Sequence, residues 1–322
     1  MAKPQPGGRN QSAGLSNWLG RDPKRALIRL AIAIGGVWVA AAVLTIIWPK
    51  PDQLASQESF VEDNSYLAPL PKKPITVLLI GIDANQINDA SNQAAPLGAA
   101  NADSIMLIQF AANQPVQVLQ LPNELGINLP GNTNITSLAD SYREGGVALI
   151  ADVIKEIIDI QNGGPHRYLV MSRQALRTLV DGIGQVEITL SQPYQKQDKS
   201  QGYLINLQAG RQSLNGIQAE HLARYRINQN GDVNRRKRQK LLILAISEQL
   251  RQPGTASNLI TVINELSEEI QTDLTRKEML SLFTAALTTP SPPVLQELPL
   301  APRAGNQQMR QLKKENSRPR WP

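Results

Sequence analysis

The run Ile75-Thr-Val-Leu-Leu-Ile-Gly-Ile-Asp83 is the stretch that decides the fold. It is almost continuously apolar or β-branched, which is typical of a strand buried on both faces of an α/β sheet. The run ends at Asp83, and α/β sheets usually place their ligand sites at the carboxyl ends of their strands. The sequence therefore predicts an α/β domain with Asp83 at the edge of a site.

Further elements on the C-terminal side of this strand continue the α/β pattern. Ser172 is a suitable N-cap for a helix from Arg173 to Asp181, and the polar residues 191–202 predict a loop. The other predicted strands are 103–110, 115–121, 167–171 and 186–190, and 203–210 is predicted as a strand and turn. The other predicted helices are 147–160, 214–223, 235–251, 257–270 and 275–287.

Composition excludes several kinds of site. The chain has 322 residues, 41% of them hydrophobic, which is enough for a real core. It has no cysteine, which excludes disulfides, thiol catalysis and cysteine-ligated metals. Its net charge of +6 comes from the two ends, because residues 1–29 and 303–322 each carry six basic residues and one acidic residue. The body is therefore mildly acidic, and a general nucleic-acid surface is not expected.

An uncharged segment near the N-terminus predicts a membrane anchor. Leu30 to Trp48 contains no charged residue and is just long enough to span a bilayer as a helix. Basic residues precede it and acidic residues soon follow, so the positive-inside rule leaves the N-terminus in the cytoplasm and exports the rest. A cleaved signal peptide is the alternative. The predicted divisions are a disordered cytoplasmic tail (1–29), a transmembrane helix (30–48), a linker (49–73), one domain (74–301) and a disordered basic tail (302–322).

A cluster of arginines follows the predicted helix 214–223. Arg224 and Arg226 are two residues apart, so their side chains would point the same way at the end of an extended strand. Asp232, Arg235, Arg238 and Gln239 have spacings that place them on one face of a helix. Guanidinium forks fit phosphate oxygens, which predicts a phosphate or pyrophosphate site. The alternative is a solvated basic helix N-terminus in which Asp232 pairs with Arg236.

Two carboxylates could hold a metal. Asp83 ends one predicted strand and Asp103 begins another, so paired strands could bring them together. Two carboxylates with phosphate oxygens and waters suit Mg²⁺, whereas the alternative is that each one caps a turn. The two histidines, His166 and His221, are far apart in sequence and do not predict a zinc site.

Several motifs occur in one collinear order, and together the chain resembles the LytR–CpsA–Psr family of cell-envelope proteins. The resemblance covers Pro74 to about Leu250, behind the predicted membrane anchor. Its most specific motif is Ala223-Arg-Tyr-Arg226 followed by Asp232-x-x-Arg235-x-x-Arg238-Gln239. The other matching motifs are Leu78-Leu-Ile-Gly-Ile-Asp83, Ala102-Asp-Ser-Ile-Met-Leu107, Leu121-Pro122, Tyr142-Arg-Glu-Gly-Gly146, Leu179-Val-Asp-Gly-Ile-Gly-Gln-Val186 and Leu214-Asn-Gly216.

The resemblance implies a fold and an activity. It implies one exported α/β/α domain with a central mixed sheet, anchored in the cytoplasmic membrane by one helix. Such proteins hold a polyprenyl lipid in an apolar groove and transfer a glycan-1-phosphate from a polyprenyl-pyrophosphate carrier to a hydroxyl of peptidoglycan. The implied pyrophosphate-binding residues are Arg224, Arg226, Arg235 and Arg238, supported by Gln239, and the implied Mg²⁺ ligands are Asp83 and Asp103. Arg224, Arg226 and the two aspartates are the expected catalytic residues.

Two positions depart from the family pattern. Asn101 and Asn123 stand where the family usually has phosphate-binding arginines, and Arg143 or Arg236 could substitute for them. Two alternatives to catalysis therefore stay open. One is an envelope protein that binds a polyprenyl phosphate or another isoprenoid without turnover, and the other is a regulator of the transcriptional-attenuator type.

Overall fold

The computed structural model describes ten stretches of the chain, and the sites discussed below lie within them. The predicted tail at 1–29, the membrane helix at 30–48 and most of the linker at 49–73 lie outside the described residues. None of the helices in the described part is long and apolar enough to cross a membrane. The described residues are 68–89, 98–129, 134–160, 163–198, 203–226, 231–252, 254–289, 291–305, 309–313 and 320–321.

A central sheet of six strands organises the domain. The strands are β1 Ile75–Ile82, β2 Ala102–Phe110, β3 Gln117–Leu121, β4 Gly126–Asn128, β5 Ile135–Ser137, β6 Asp159–Ile160, β7 Arg167–Met171, β8 Val186–Leu190, β9 Tyr194–Asp198, β10 Tyr203–Leu207, β11 Gly210–Leu214, β12 Ile270–Thr272, β13 Val294–Glu297 and β14 Arg320–Trp321. The order of the central sheet is β12-β7-β1-β2-β3-β13, with both parallel and antiparallel neighbours, so the predicted mixed sheet is confirmed. The helices are α1 Leu138–Ile157, α2 Arg173–Gly182, α3 Gly216–Arg224, α4 Gly231–Leu250, α5 Thr255–Leu266 and α6 Arg276–Thr288.

The two faces of the sheet are covered by different helices. Successive residues of a strand point to opposite faces. Leu78 and Ile80 of β1 therefore pack with Ile150 and Ile154 of α1 in the main core. Val77, on the other face, packs with residues of α6. The predicted burial of β1 on both faces is confirmed, and the domain has helices on each side of a mixed sheet.

Helix α1 begins earlier than the predicted start at residue 147. It begins at Leu138, and Ser137 caps it by accepting a hydrogen bond from the backbone of Asp140. The helix is kinked at Gly146, whose φ of 61° is accessible to glycine at little cost. Gly146 has non-helical dihedral angles, so the predicted helix start at residue 147 coincides with the kink, and the helical segment before it is the part that was not predicted.

Two polar segments that were predicted to be irregular contain strands in their described parts. Residues 191–202 were predicted as a loop, but Tyr194–Asp198 forms β9 and pairs antiparallel with β10. The predicted disordered tail at 302–322 also needs correction in its described part. Arg310 bridges to Leu125, and β14 pairs with β6 and buries Trp321. The local composition of these two segments did not predict their strands and bridges, and the residues with which the C-terminal segment pairs are distant in sequence.

Candidate active site

The Arg224 segment is helical, which corrects the expected strand end. Arg224 is the last residue of α3, and the chain becomes extended only at Tyr225. The side chain of Arg224 is mostly buried and its guanidinium lies over the Tyr203 ring at 5.6 Å. Arg226 lies beyond the end of the helix and is half exposed. The two arginines therefore differ in environment: one is fixed beneath the hairpin β9–β10 and the other lies at the rim.

A buried carboxylate, Glu220, gathers three arginines. Glu220 is 1% exposed, and its Oε1 accepts hydrogen bonds from Arg173 and Arg224, each at 2.8 Å. Its Oε2 accepts one from Arg177 at 2.9 Å. Burial acts to raise the pKa of Glu220, but the three arginines outweigh it and lower the pKa to about 2. Glu220 is therefore an anion at neutral pH that fixes three guanidiniums in place.

Glu220, Arg173 and Arg177 lie outside the motifs that predicted the site, although their spacing contains a signal. Glu220 and Arg224 are four residues apart on α3, and Arg173 and Arg177 are four apart on α2. Residues with that spacing share one face of a helix. Nothing local, however, indicates that the two faces meet, because α2 and α3 are separated by the β8–β11 segment.

Helix α4 brings the second arginine motif to β2. It begins at Gly231, four residues earlier than predicted, so Asp232 lies in its first turn. Arg235 is 2% exposed and donates to Asp103 Oδ1 at 2.5 Å. Asp232 pairs with Arg235 at 3.1 Å and with Arg226 at 2.5 Å. Asp232 does not pair with Arg236, so the alternative of a solvated basic helix N-terminus is wrong.

The charges around Asp103 keep it ionised. Burial acts to raise its pKa, but Arg235, Arg226 and Arg224 together hold the pKa below the usual range. Gln239, one turn beyond Arg235, points to the same place. Its Nε2 donates to the Asp103 carbonyl at 3.4 Å, and its Oε1 accepts from Gln120 at 2.8 Å. The structure thus brings Asp103, Arg224, Arg226, Arg235 and Gln239 together.

Arg238 lies apart from this group. Its guanidinium donates to the carbonyl oxygens of Leu222 and Tyr225. It also lies 5.3 Å from the Tyr194 ring centroid and 5.1 Å from that of Tyr225. These contacts attach α4 to the end of α3 and to the hairpin. Arg238 therefore supports the chain that carries Arg224 and Arg226.

The two arginines considered as substitutes at the site have other contacts. Arg236 is 1% exposed and bonds to Glu124 at 2.6 Å and to Glu297 at 2.7 Å, so it is not available to bind phosphate. Arg143 donates from Nε to the Ala99 carbonyl at 3.0 Å, close to the loop that contains Asn101.

Asp83 and the two asparagines form a network between β1, β2 and β3. Asp83 Oδ1 accepts from the Asn101 backbone at 2.9 Å, and the Asp83 backbone donates to the Asn101 carbonyl at 3.1 Å. Asn123 donates to the Ala102 carbonyl at 2.5 Å. Asp83 and Asp103 therefore flank the same end of the β1–β2 pair, and the asparagines bond to backbone beside them.

An apolar cavity of about 290 Å³ extends from the charged group. It lies on the face of the sheet opposite α1, and α2, α4 and α6 help to line it. Its charged and polar lining residues are Asp103, Ser104, Ser172, Arg173, Glu220, Arg224, Gln239 and Ser247. Its apolar lining includes Met106, Ile108, Phe110, Val118, Leu242, Ile243, Ile246 and Leu250.

The lining residues give the cavity a direction. Along β2, alternate residues from Ser104 to Phe110 face it, which spans roughly 20 Å at strand geometry. Along α4, the lining residues run from Gln239 to Leu250 at helical spacing. Ser104 and Gln239 lie at the charged end, whereas Phe110 and Leu250 lie at the apolar end. The site is therefore an apolar groove with a guanidinium-rich mouth.

Comparison with known proteins gives a consistent result. A model of the LytR_cpsA_psr family matches residues 50–308. A protein of Enterococcus faecalis named polyisoprenyl-teichoic acid–peptidoglycan teichoic acid transferase TagU is 26% identical over 209 residues, which is 65% of this chain and 64% of that protein. The transferase TagV of Bacillus subtilis is 21% identical over 218 residues, which is 66% of this chain and 53% of that protein. The chain thus spans less than two thirds of the length of these two relatives.

The fold is also found in solved structures. The crystal structure of Bacillus subtilis TagV superposes with a TM-score of 0.61 at 18% sequence identity. The match covers 77% of this chain and 94% of that one. At this identity the likeness concerns the fold, including the mixed sheet between helices.

Proposed function

The chain belongs to the LytR–CpsA–Psr family, as the collinear motifs predicted, and from that premise we propose that it is a glycopolymer phosphotransferase of the cell envelope. Its donor is a glycan carried on a polyprenyl pyrophosphate, and its acceptor is a hydroxyl of peptidoglycan. The observation that carries the proposal is the apolar groove that ends at the guanidinium-rich mouth. The names of the relatives as teichoic acid transferases support the same substrate class.

The groove and its mouth suit the two parts of such a donor. Isoprenoid carbons are stabilised by apolar surface such as Ile243 and Ile246. The pyrophosphate then lies at the mouth, where Arg224, Arg226 and Arg235 supply hydrogen-bond donors and positive charge. Because the arginines are fixed by carboxylates and carbonyls before the substrate arrives, little reorganisation is needed at the moment of reaction.

The reaction exchanges one phosphorus–oxygen bond for another. The acceptor hydroxyl oxygen bonds to the phosphorus next to the sugar, and the anhydride bond to the other phosphorus breaks. The carrier leaves as polyprenyl monophosphate, and the hydroxyl proton passes to solvent. Charge accumulates on the phosphate oxygens during this exchange, and the fixed guanidiniums stabilise it by electrostatic attraction.

We further propose that Asp83 and Asp103 hold Mg²⁺ together with oxygens of the pyrophosphate. Mg²⁺ is commonly bound through one or two carboxylates plus phosphate oxygens and waters, and the donor set here is of that kind. Asp103 fits because it lines the cavity and is ionised, while one oxygen of Asp83 already accepts from the Asn101 backbone. Bound Mg²⁺ would neutralise negative charge on the pyrophosphate.

The predicted membrane helix gives this activity its location. We propose that residues 30–48 anchor the protein in the cytoplasmic membrane with the domain outside, where both a lipid-linked donor and peptidoglycan are accessible. The mildly acidic body argues against a nucleic-acid partner. A regulatory role is not favoured, because the relatives TagU of Enterococcus faecalis and TagV of Bacillus subtilis are named as transferases.

The test uses the full chain in detergent with Mg²⁺, a polyprenyl-pyrophosphate-linked saccharide and peptidoglycan, and it measures release of polyprenyl phosphate. Arg224→Ala should reduce the release rate by about 100-fold or more, as expected when a preorganised charge is lost. Arg211→Ala is the matched control, because Arg211 is exposed and pairs with Glu187 away from the groove. Normal release from Arg224→Ala would refute the assigned site. A wild-type protein that retains lipid without turnover would support the non-catalytic alternative.

A further inference from the structure

One cation at the mouth of the groove lies outside the arginine motifs. Arg173 is the first residue of α2 and lines the cavity together with Asp103, Arg224 and Gln239. Its backbone N–H donates to the Ala84 carbonyl at 3.0 Å, which fixes it beside the end of β1. The side chain is 13% exposed, so it is largely desolvated and still open to the cavity.

The guanidinium of Arg173 is held from one side. Its Nε donates to Glu220 Oε1 at 2.8 Å, and Arg224 Nη1 donates to the same oxygen at the same distance. The two donor nitrogens therefore lie within roughly 6 Å of each other, a spacing at which one phosphate group can accept from both. Within the part of the chain that the structure describes, the terminal nitrogens of Arg173 donate to no other group.

The surrounding charges favour an anion at this position. Burial lowers the pKa of Arg173, Glu220 raises it, and the nearby positive charge of Arg224 lowers it again. An anion between Arg173 and Arg224 would relieve that repulsion. Around Glu220 itself, three guanidiniums face one carboxylate, which leaves an excess positive charge suited to a dianion.

We propose that Arg173 binds the pyrophosphate of the lipid carrier directly, as a second guanidinium fork beside Arg224. The proposal deepens the function proposed above and rests on it. It gives α2 a part in recognising the head group, in addition to its apolar contacts Leu176 and Leu179 with the lipid groove. Arg177, one turn further along α2, bonds to the same carboxylate but does not line the cavity. Its role is therefore to hold Glu220 in place.

This difference between Arg173 and Arg177 provides the experiment. The full chain in detergent is titrated with farnesyl pyrophosphate, and the Kd is measured for wild type, Arg173→Gln and Arg177→Gln. Loss of a charge-assisted hydrogen bond to phosphate should raise the Kd of Arg173→Gln by about 10-fold or more. The Kd of Arg177→Gln should stay within about threefold of wild type, because rim and supporting charges act weakly on affinity. Farnesol, which has the tail without the charge, should bind all three proteins equally.

Each outcome decides between a ligand contact and a supporting role. Equal Kd increases in both variants would show that Arg173 acts only through Glu220, and an unchanged Kd in Arg173→Gln would also overturn the proposal. In either case wild-type binding and turnover would leave the proposed function standing. Failure of wild type to bind farnesyl pyrophosphate would instead refute the proposed function and this inference with it. Equal unfolding midpoints of the two variants establish that the comparison is between folded proteins.

Discussion

Replacement of Glu220 by Gln tests whether charge holds the mouth of the groove together. The substitution keeps the shape of the side chain but removes the negative charge shared by Arg173, Arg177 and Arg224. In the folded protein these arginines lower the pKa of Glu220 from its ordinary 4.5 to about 2. At 1.36 kcal/mol for each pKa unit, the ionised carboxylate stabilises the fold by about 3 kcal/mol at pH 7.

The pH dependence follows from the direction of the shift. Because the folded pKa lies below the unfolded value, the stabilisation is complete above about pH 5 and is lost as the pH falls towards 2. Wild type should therefore exceed Glu220→Gln by about 3 kcal/mol at pH 7, but by only about 1.5 kcal/mol at pH 3. Taking the difference between the two proteins cancels the titration of the other carboxylates.

Urea unfolding at the two pH values measures this difference. We take the m value, the slope of the unfolding free energy against urea concentration, to be near the upper end of its usual range. The urea concentration at the unfolding midpoint of Glu220→Gln should then lie about 1 M below that of wild type at pH 7. Glu187→Gln is the matched control, because Glu187 pairs with a single exposed arginine, and it should show no measurable change. Equal stability of Glu220→Gln and wild type at pH 7, or a difference that does not shrink at pH 3, would refute the electrostatic reasoning.

Two further substitutions test the groove and the packing beneath its mouth. Ile246→Trp should fill the apolar part of the cavity and lower turnover of the lipid-linked donor by about 10-fold or more, as expected for a lost binding pocket. Leu244→Trp, at an exposed position on the same helix, should leave turnover unchanged, and equal loss in both variants would place the lipid elsewhere. Gly216→Ala should lower the free energy of unfolding by about 1–3 kcal/mol, since its Cβ would lie 2.4 Å from the Arg177 carbonyl oxygen. A thermal melt checks this, and an unchanged midpoint would mean that α3 shifts away from α2 at no cost.

The sequence by itself determined most elements of the domain and the family. Continuous apolar runs fixed β1, β2 and β7, because buried strands need apolar side chains on both faces. Ser172 was identified as an N-cap, and it accepts from the Ala175 backbone as such residues do. The order of short motifs identified the family, which the match over residues 50–308 confirms. The conformation of Arg224 was missed because helix ends carry only a weak local signal.

Only the tertiary structure decided which arginine meets which partner. Consecutive residues of a helix point about 100° apart, so Arg235 and Arg236 diverge although they are neighbours. Arg235 reaches Asp103 on β2, whereas Arg236 reaches Glu124 and Glu297 outside the mouth. The partner of each depends on where β2, β3 and β13 lie relative to α4. Those positions are set by packing between distant segments of the chain. Arg235 and Asp103, and likewise Arg236 and Glu124, are more than 100 residues apart, so the sequence pattern of α4 carries no information about these contacts.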